Sequence, residues 1–172
     1  MNKHISWFSI GVGSIVALGA VGAVAQPSSA ATVQVTCQTN TNTPTVVLSP
    51  DKADTKQSIA FLNFLPKYFS PQDAVQNCQS TARNMQVLYA TGSGKYLTTD
   101  KVNGRSVVCT VERRGMSCDH DNAQVLFSLR PSDNPTQALY DMLGNDFKPA
   151  KPLDSRTVGR IYTATKPFWW PF

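Results

Sequence analysis

Cys37, Cys78, Cys109 and Cys118 are the residues of this chain with the clearest chemical meaning. Their number is even and no two form a CxxC pair, so the spacing fits neither a zinc site nor a dithiol redox motif. It predicts two structural disulfides made in an oxidising compartment. A lipid anchor on Cys37 is excluded, because Cys37 follows Val35-Thr36 well beyond the N-terminal apolar run. Other candidate chemistry is sparse. After His4 the one remaining histidine is His120, and no GxSxG elbow accompanies it; Gly92-Ser93-Gly94 reads as a loop. Cys118-Asp119-His120-Asp121-Asn122 offers oxygen donors but lacks the central Gly and terminal Glu of a calcium loop, and reads as a polar turn. Glu112 is the single glutamate, so paired-carboxylate hydrolysis would need two aspartates brought together by the fold. With no phosphate-binding glycine loop and no zinc helix motif, the expectation is no catalytic residue, no metal site and no cofactor.

The C-terminal end has a different character. Lys166-Pro167-Phe168-Trp169-Trp170-Pro171-Phe172 crowds four aromatic rings beside a lysine. Trp and Phe rings of this kind enter the acyl boundary of a membrane, and Lys166 and Arg160 could meet anionic headgroups. Lys166, Phe168, Trp169, Trp170 and Phe172 are therefore the candidate membrane- or partner-binding residues. Two other readings stay open: the rings fold back over their own domain, or they meet an envelope protein.

Which elements position these groups can be read from periodicity and caps. Val33-Gln34-Val35-Thr36-Cys37 alternates apolar and polar residues as a half-buried strand does, and Thr45 to Leu48 is β-branched enough for a second. Ile59 to Leu65 is a dense apolar run that suits a buried strand before Pro66. Ser70 reads as an N-cap with Pro71 at the first helical position and Asp73 in the first turn. Ala74, Cys78, Ala82, Met85 and Tyr89 then recur at helical spacing, so a thiol lies on the inner face. Gln72, Gln76, Gln79, Arg83 and Gln86 form a solvated face, and Gly92 and Gly94 end the helix. Asn103-Gly104 supplies the positive φ angles of a type I′ turn between strands Tyr96–Val102 and Arg105–Glu112. A second hairpin turning at Arg113-Arg114 would pair Glu112 with Gly115 and set Cys109 opposite Cys118, within disulfide reach. Cys37 is then left for Cys78. Val125 to Leu129 gives another strand. Asn134-Pro135 starts a short helix with Ala138, Leu139, Met142 and Leu143 inside and Gly144 as its stop. The fold class is α+β: one disulfide-stapled domain on an antiparallel sheet with two hairpins, one longer helix and one shorter helix.

Around this domain, residues 33–144, lie two segments of other composition. Met1 to Ala25 carries Lys3, then an uncharged apolar run from Ile5 ending in small residues, which reads as a secretory signal cleaved after Ala25 or as late as Ala30; the rival reading is an uncleaved anchor, since the run is about long enough to span a bilayer, and its Gly and Ser content and small-residue sites favour cleavage. From Asn145 to Phe172 no period is evident, and Pro149, Pro152, Pro167 and Pro171 discourage regular elements, so residues 145–172 read as a basic, aromatic-ended extended tail that serves attachment and not core stability. Of the whole chain's 172 residues, 16 are Lys or Arg and 11 Asp or Glu, a net charge of +5. Only Lys3 is lost with the signal, and much of the remaining excess sits in the tail at Lys148, Lys151, Arg156, Arg160 and Lys166. The globular part is near neutral and lacks the basic stripe of a nucleic-acid binder.

Several segments, in chain order, resemble the circadian oscillating polypeptide domain of cyanobacteria. Val35-Thr36-Cys37 with Pro44-Thr45-Val46-Val47 resembles its start, YFSPQDAVQNCQSTARNMQ (Tyr68 to Gln86) its Cys-bearing helix, and YLTTDKVNGRSVVC (Tyr96 to Cys109) its Asn-Gly hairpin. CDHDNAQVLFSLRPSDNPTQALYDML (Cys118 to Leu143) resembles its last Cys, strand and helix. The resemblance implies an export signal, clock-driven expression and a membrane-associated location, and it carries over no catalytic residue. The leading reading is an exported, non-catalytic binding or envelope-accessory module in the periplasm or thylakoid lumen, with a membrane surface or envelope protein as partner. The alternative is a small cell-envelope enzyme such as a hydrolase.

Overall fold

A computed structural model describes residues 33–50, 58–149 and 159–166. Three strands, β1 (Val33–Gln38), β2 (Thr45–Pro50) and β3 (Ile59–Asn63), make one antiparallel sheet in that order. Helix α1 (Pro71–Thr91) comes next, then β4 (Tyr96–Val102), β5 (Arg105–Val111) and β6 (Gln124–Ser128), helix α2 (Pro135–Met142), a 3₁₀ turn at Asn145–Phe147 and the short strand β7 (Thr163–Ala164). The second antiparallel sheet runs β6-β5-β4-β7. The α+β class with two helices is as expected, and the strands divide between two sheets.

Local chemistry sets most boundaries. The Ser70 hydroxyl accepts the Asp73 amide at 3.2 Å, and Pro71 supplies the first helical φ. Gly92 ends α1 with φ 69°, a left-handed value that costs glycine little. The inner face of α1 is Ala74, Cys78, Thr81, Ala82, Met85 and Leu88. Tyr89 sits at its margin, because Leu88 takes the inner position at that level. Asn103 (φ 51°) and Gly104 (φ 77°) form the type I′ turn joining β4 and β5. Asn134 caps α2 by accepting the Thr136 and Gln137 amides, both at 3.1 Å.

Both disulfides form as paired from the sequence, Cys37–Cys78 and Cys109–Cys118, with Cα separations of 5.6 and 5.7 Å. The second one forms without the predicted register. No hairpin turns at Arg113-Arg114; β5 ends at Val111, and Cys109 stands opposite Val125 of β6. The intervening residues close on themselves through backbone bonds such as Ala123 to His120 at 2.8 Å. Their Ser, Asp and Asn side chains compete for nearby backbone and lack an apolar alternation, so a self-bonded loop wins over a strand. Cys118 reaches Cys109 from within that loop.

The main core joins Phe61, Phe64, Met85, Leu97, Phe127, Leu139 and Met142 between the sheets and helices. A smaller cluster of Val107, Cys109, Val111 and Cys118 lies behind the second sheet, so the central strand β5 is buried on both faces. The edges of the first sheet are closed by devices that periodicity does not reveal. Gln86, expected on the solvated face of α1, turns its amide onto the free edge of β1, donating to Val33 O at 3.0 Å and accepting from Val35 N at 2.7 Å. On the other edge, the Gly144 amide donates to Phe61 O at 2.9 Å. Gly144 is no left-handed helix stop: its φ is −62°. It is there for closeness, since a Cβ on it would lie 1.8 Å from Ala60 O.

The described part of the predicted extended tail is built into the domain. Phe147 is buried and meets Phe61 edge-on at 4.7 Å, and β7 pairs with β4. Ile161, Thr163 and Thr165 are also buried. The prolines at 149 and 152 do not prevent this, because a two-residue edge strand and a 3₁₀ turn need little regular chain.

Candidate membrane- or partner-binding site

The C-terminal strap, residues 159–166, carries the chain across β4 to the candidate binding end. Its hold is polar and comes from threonine and tyrosine hydroxyls that satisfy backbone carbonyls. Thr98 donates to Ile161 O at 2.7 Å, Thr163 to Phe147 O at 2.6 Å, and Thr165 to Gly94 O at 2.9 Å. Tyr162 donates to Met116 O at 3.0 Å, and Tyr89 to Thr165 O. Burial pushes the Tyr89 phenol well above its ordinary value, so it stays a donor. Backbone pairing sets the register: Tyr96 opposite Ala164, Leu97 opposite Thr163, and Thr165 N on Lys95 O at 3.0 Å.

This register fixes what surrounds Lys166, the one candidate residue within the described part. It is exposed and leaves the sheet beside Lys95, while Arg114 lies 5.3 Å over the Tyr96 ring. Glu112 partly offsets the charge: it lies 3.7 Å from Lys95 and also accepts the Gly94 amide at 2.6 Å. The exit point is thus basic, with Lys95, Arg114 and Lys166 on one end of the second sheet. Phe168, Trp169, Trp170 and Phe172 lie outside the described residues, as do Met1 to Ala30. Ile161-Tyr162-Thr163-Ala164-Thr165 is rich in β-branched and aromatic residues, and that signal could have announced the strap.

The polar groups that might do chemistry elsewhere are engaged in holding elements together. Asp141 of α2 accepts Tyr68 OH at 2.6 Å, Gln137 Nε2 at 2.8 Å and Lys67 Nζ. Burial alone would raise its carboxyl, but these three donors outweigh it and hold the group below its ordinary value. Tyr68 is raised by burial and by its bond to Asp141. Arg130 spans Asp133 at 3.0 Å and the Lys67 carbonyl. These contacts pin the β3–α1 connection to α2 and to the segment before it; Asp141 lies 73 residues from Tyr68 and 74 from Lys67, Arg130 lies 63 from Lys67, and no sequence signal marks them. In the Cys118–Asn122 segment, Ser117 binds Asp119 and the exposed His120 accepts the Asn122 amide at 3.3 Å, which is a polar turn. Among the described residues no group of three His, Cys, Asp or Glu side chains could hold a metal, and no helix is long and apolar enough to cross a membrane.

Two antiparallel sheets, two helices and two staples, with a strap clipped across one sheet edge, define a small disulfide-bonded α+β domain whose oxidised cysteines suit an oxidising compartment. The family model of circadian oscillating protein COP23 matches residues 34–169, and the chain belongs to that family. The match continues past Leu143 through the strap. No curated protein and no solved structure matches the chain significantly.

Proposed function

We propose that this chain is an exported, non-catalytic accessory module of the cell envelope that attaches reversibly to an anionic membrane surface through its C-terminal end. Residues 1–25 serve as the export signal, with cleavage as late as residue 30, and the periplasm or thylakoid lumen is the destination. The observation that supports the attachment is the strap register, which brings Lys166 to the same end of the second sheet as Lys95 and Arg114, immediately before Phe168, Trp169, Trp170 and Phe172 in the sequence. Aromatic rings supply interfacial affinity and the cations supply salt-sensitive attraction. Abundance that tracks the day–night cycle is part of the same reading and rests on the family. The hydrolase alternative is less favoured, because it needs convergent carboxylates free to react, and Asp100, Asp119, Asp133 and Asp141 each accept bonds from neighbouring groups.

Flotation with vesicles tests the attachment. Wild-type protein binds phosphatidylglycerol vesicles and is released by salt, whereas deletion of residues 167–172 abolishes binding with an unchanged thermal midpoint. Equal flotation of both forms overturns the proposal. Capture of an envelope protein by the same six residues, without vesicle binding, would replace the membrane by a protein partner.

A further inference from the structure

We infer that the groove between β1 and α1 receives an extended, acidic segment of a partner protein, which adds to the first sheet as a strand parallel to β1. The groove has a volume of about 430 Å³, and its walls are the open edge of β1 on one side and a stripe of α1 running Gln79, Ala82, Arg83 and Gln86 on the other. The β1 edge is the informative wall. Val35 N donates to Gln86 Oε1, so Val35 and its alternate Cys37 turn their backbone groups away from β2 and into the groove. Val35 O and Cys37 N have no partner there among the described residues.

Gln86 marks what fits this edge. Its side-chain amide donates to Val33 O at 3.0 Å and accepts from Val35 N at 2.7 Å, the two bonds that a residue opposite Gln34 would make in a parallel ladder. The amide thus stands in for one residue of a parallel strand. The next place along that ladder, opposite Thr36, would join Val35 O and Cys37 N, and the groove opens at these residues. A peptide residue seated there bonds both groups and leaves the Gln86 bonds intact, which is strand addition to an open edge. Its neighbour opposite Cys37 turns its side chain to the α1 face, because the Cys37 side chain goes that way to bond Cys78. On that face Ala82 is small and buried. Arg83 is exposed, has no partner among the described residues, and is the one charged residue among those lining the groove. The complement of such a wall is a carboxylate. None of the lining residues belongs to the strap, so this surface is separate from the proposed attachment end.

The test uses the purified protein and a capped five-residue peptide, acetyl-Val-Thr-Asp-Thr-Val-amide, read by amide chemical shifts and hydrogen exchange. Its first threonine falls opposite Thr36 and its aspartate opposite Cys37. Saturable shifts centre on Thr36 and Cys37, and exchange of the Cys37 amide slows. Methylating the backbone nitrogen of that first threonine removes the bond to Val35 O and lowers affinity about tenfold. Asparagine in place of the peptide's aspartate lowers it about threefold for wild type and leaves it unchanged for Arg83→Gln, a variant with the wild-type thermal midpoint. No saturable binding, or equal affinity of the methylated and unmethylated peptides, overturns strand addition. Equal affinity of the aspartate and asparagine peptides for wild type overturns the acidic partner. Protection of the Cys37 amide that grows with protein concentration alone, without peptide, overturns the partner in favour of a second copy of this chain.

Discussion

Replacing Gly144 by Ala is the sharpest available test of how the two sheets and α2 are joined. The backbone there has φ −62° and ψ 156°, values any L residue adopts, so alanine brings no conformational strain of its own. The cost is contact. A Cβ would stand 1.8 Å from Ala60 O and 2.7 Å from Ala60 C, where real Cβ atoms essentially never come within 3.0 Å. The two backbones must part by more than an ångström, and that breaks the 2.9 Å bond from Gly144 N to Phe61 O. The move also strains the Phe61–Phe147 ring pair, packed at 4.7 Å. Overpacking of this kind costs about 1–3 kcal/mol and the lost hydrogen bond about 1 more, so urea unfolding should show a loss of roughly 2–4 kcal/mol with an unchanged slope. Gly92→Ala is the control: nothing lies within 4 Å of its Cβ, and the penalty is the left-handed φ of 69° alone, about 1 kcal/mol. A Gly144→Ala protein within about 0.5 kcal/mol of wild type would refute the close-approach argument.

Gly104→Val forces a β-branched residue to φ 77° in the type I′ turn and should cost more than about 1 kcal/mol; an unchanged denaturant midpoint would place the turn elsewhere. Gln86→Leu keeps the helix but unpairs Val33 O and Val35 N, with an expected loss of about 1–3 kcal/mol and faster hydrogen exchange at Val35; unaltered exchange there counts against the edge cap. Asp141 has a lowered folded-state pKa, so its contribution is present above the unfolded carboxylate value and disappears as pH falls through the lower folded one. Wild type should therefore lose stability on acidification below about pH 4 more steeply than Asp141→Asn, and superimposable acid limbs would refute the linkage. Removing the Cys37–Cys78 bond, which spans 41 residues, should destabilise more than removing Cys109–Cys118, which spans 9. Chain entropy sets about 3.9 against 2.7 kcal/mol, and the reverse order in thermal midpoints would show that local packing dominates.

What was legible in the sequence is what neighbouring residues decide. Ser70-Pro71, Asn103-Gly104 and Asn134-Pro135 each carry their structure in side-chain chemistry a few positions long, and all three sit where that chemistry puts them. The disulfide pairing was also legible, although by a register that the Cys118 loop does not adopt. The misses are long-range. Gln86 reads as solvent-facing until β1 lies beside it, Gly144 as a helix stop until Ala60 is seen against it, and the Lys67–Tyr68–Asp141 cluster joins residues whose spacing carries no signal. Of the candidate binding end, Lys166 alone falls in the described residues, and its setting among Lys95 and Arg114 depends on the pairing of β7 with β4.

Under the proposed function one short segment serves both stability and attachment, and the described strap supplies the stability. Thr163 and Thr165 point their hydroxyls at the Phe147 and Gly94 carbonyls and Ile161 is buried in the core, so each of these contacts is with the domain. Lys166, by contrast, is exposed. Substitutions at Ile161, Thr163 and Thr165 should thus act on folding, and substitutions from Lys166 onward on the proposed attachment. Rings attached to a flexible loop would lose much of their affinity to the entropy of ordering the chain. In the proposed attachment, the threonine bonds hold the base of the segment before any partner is met, so less of that ordering cost falls on binding.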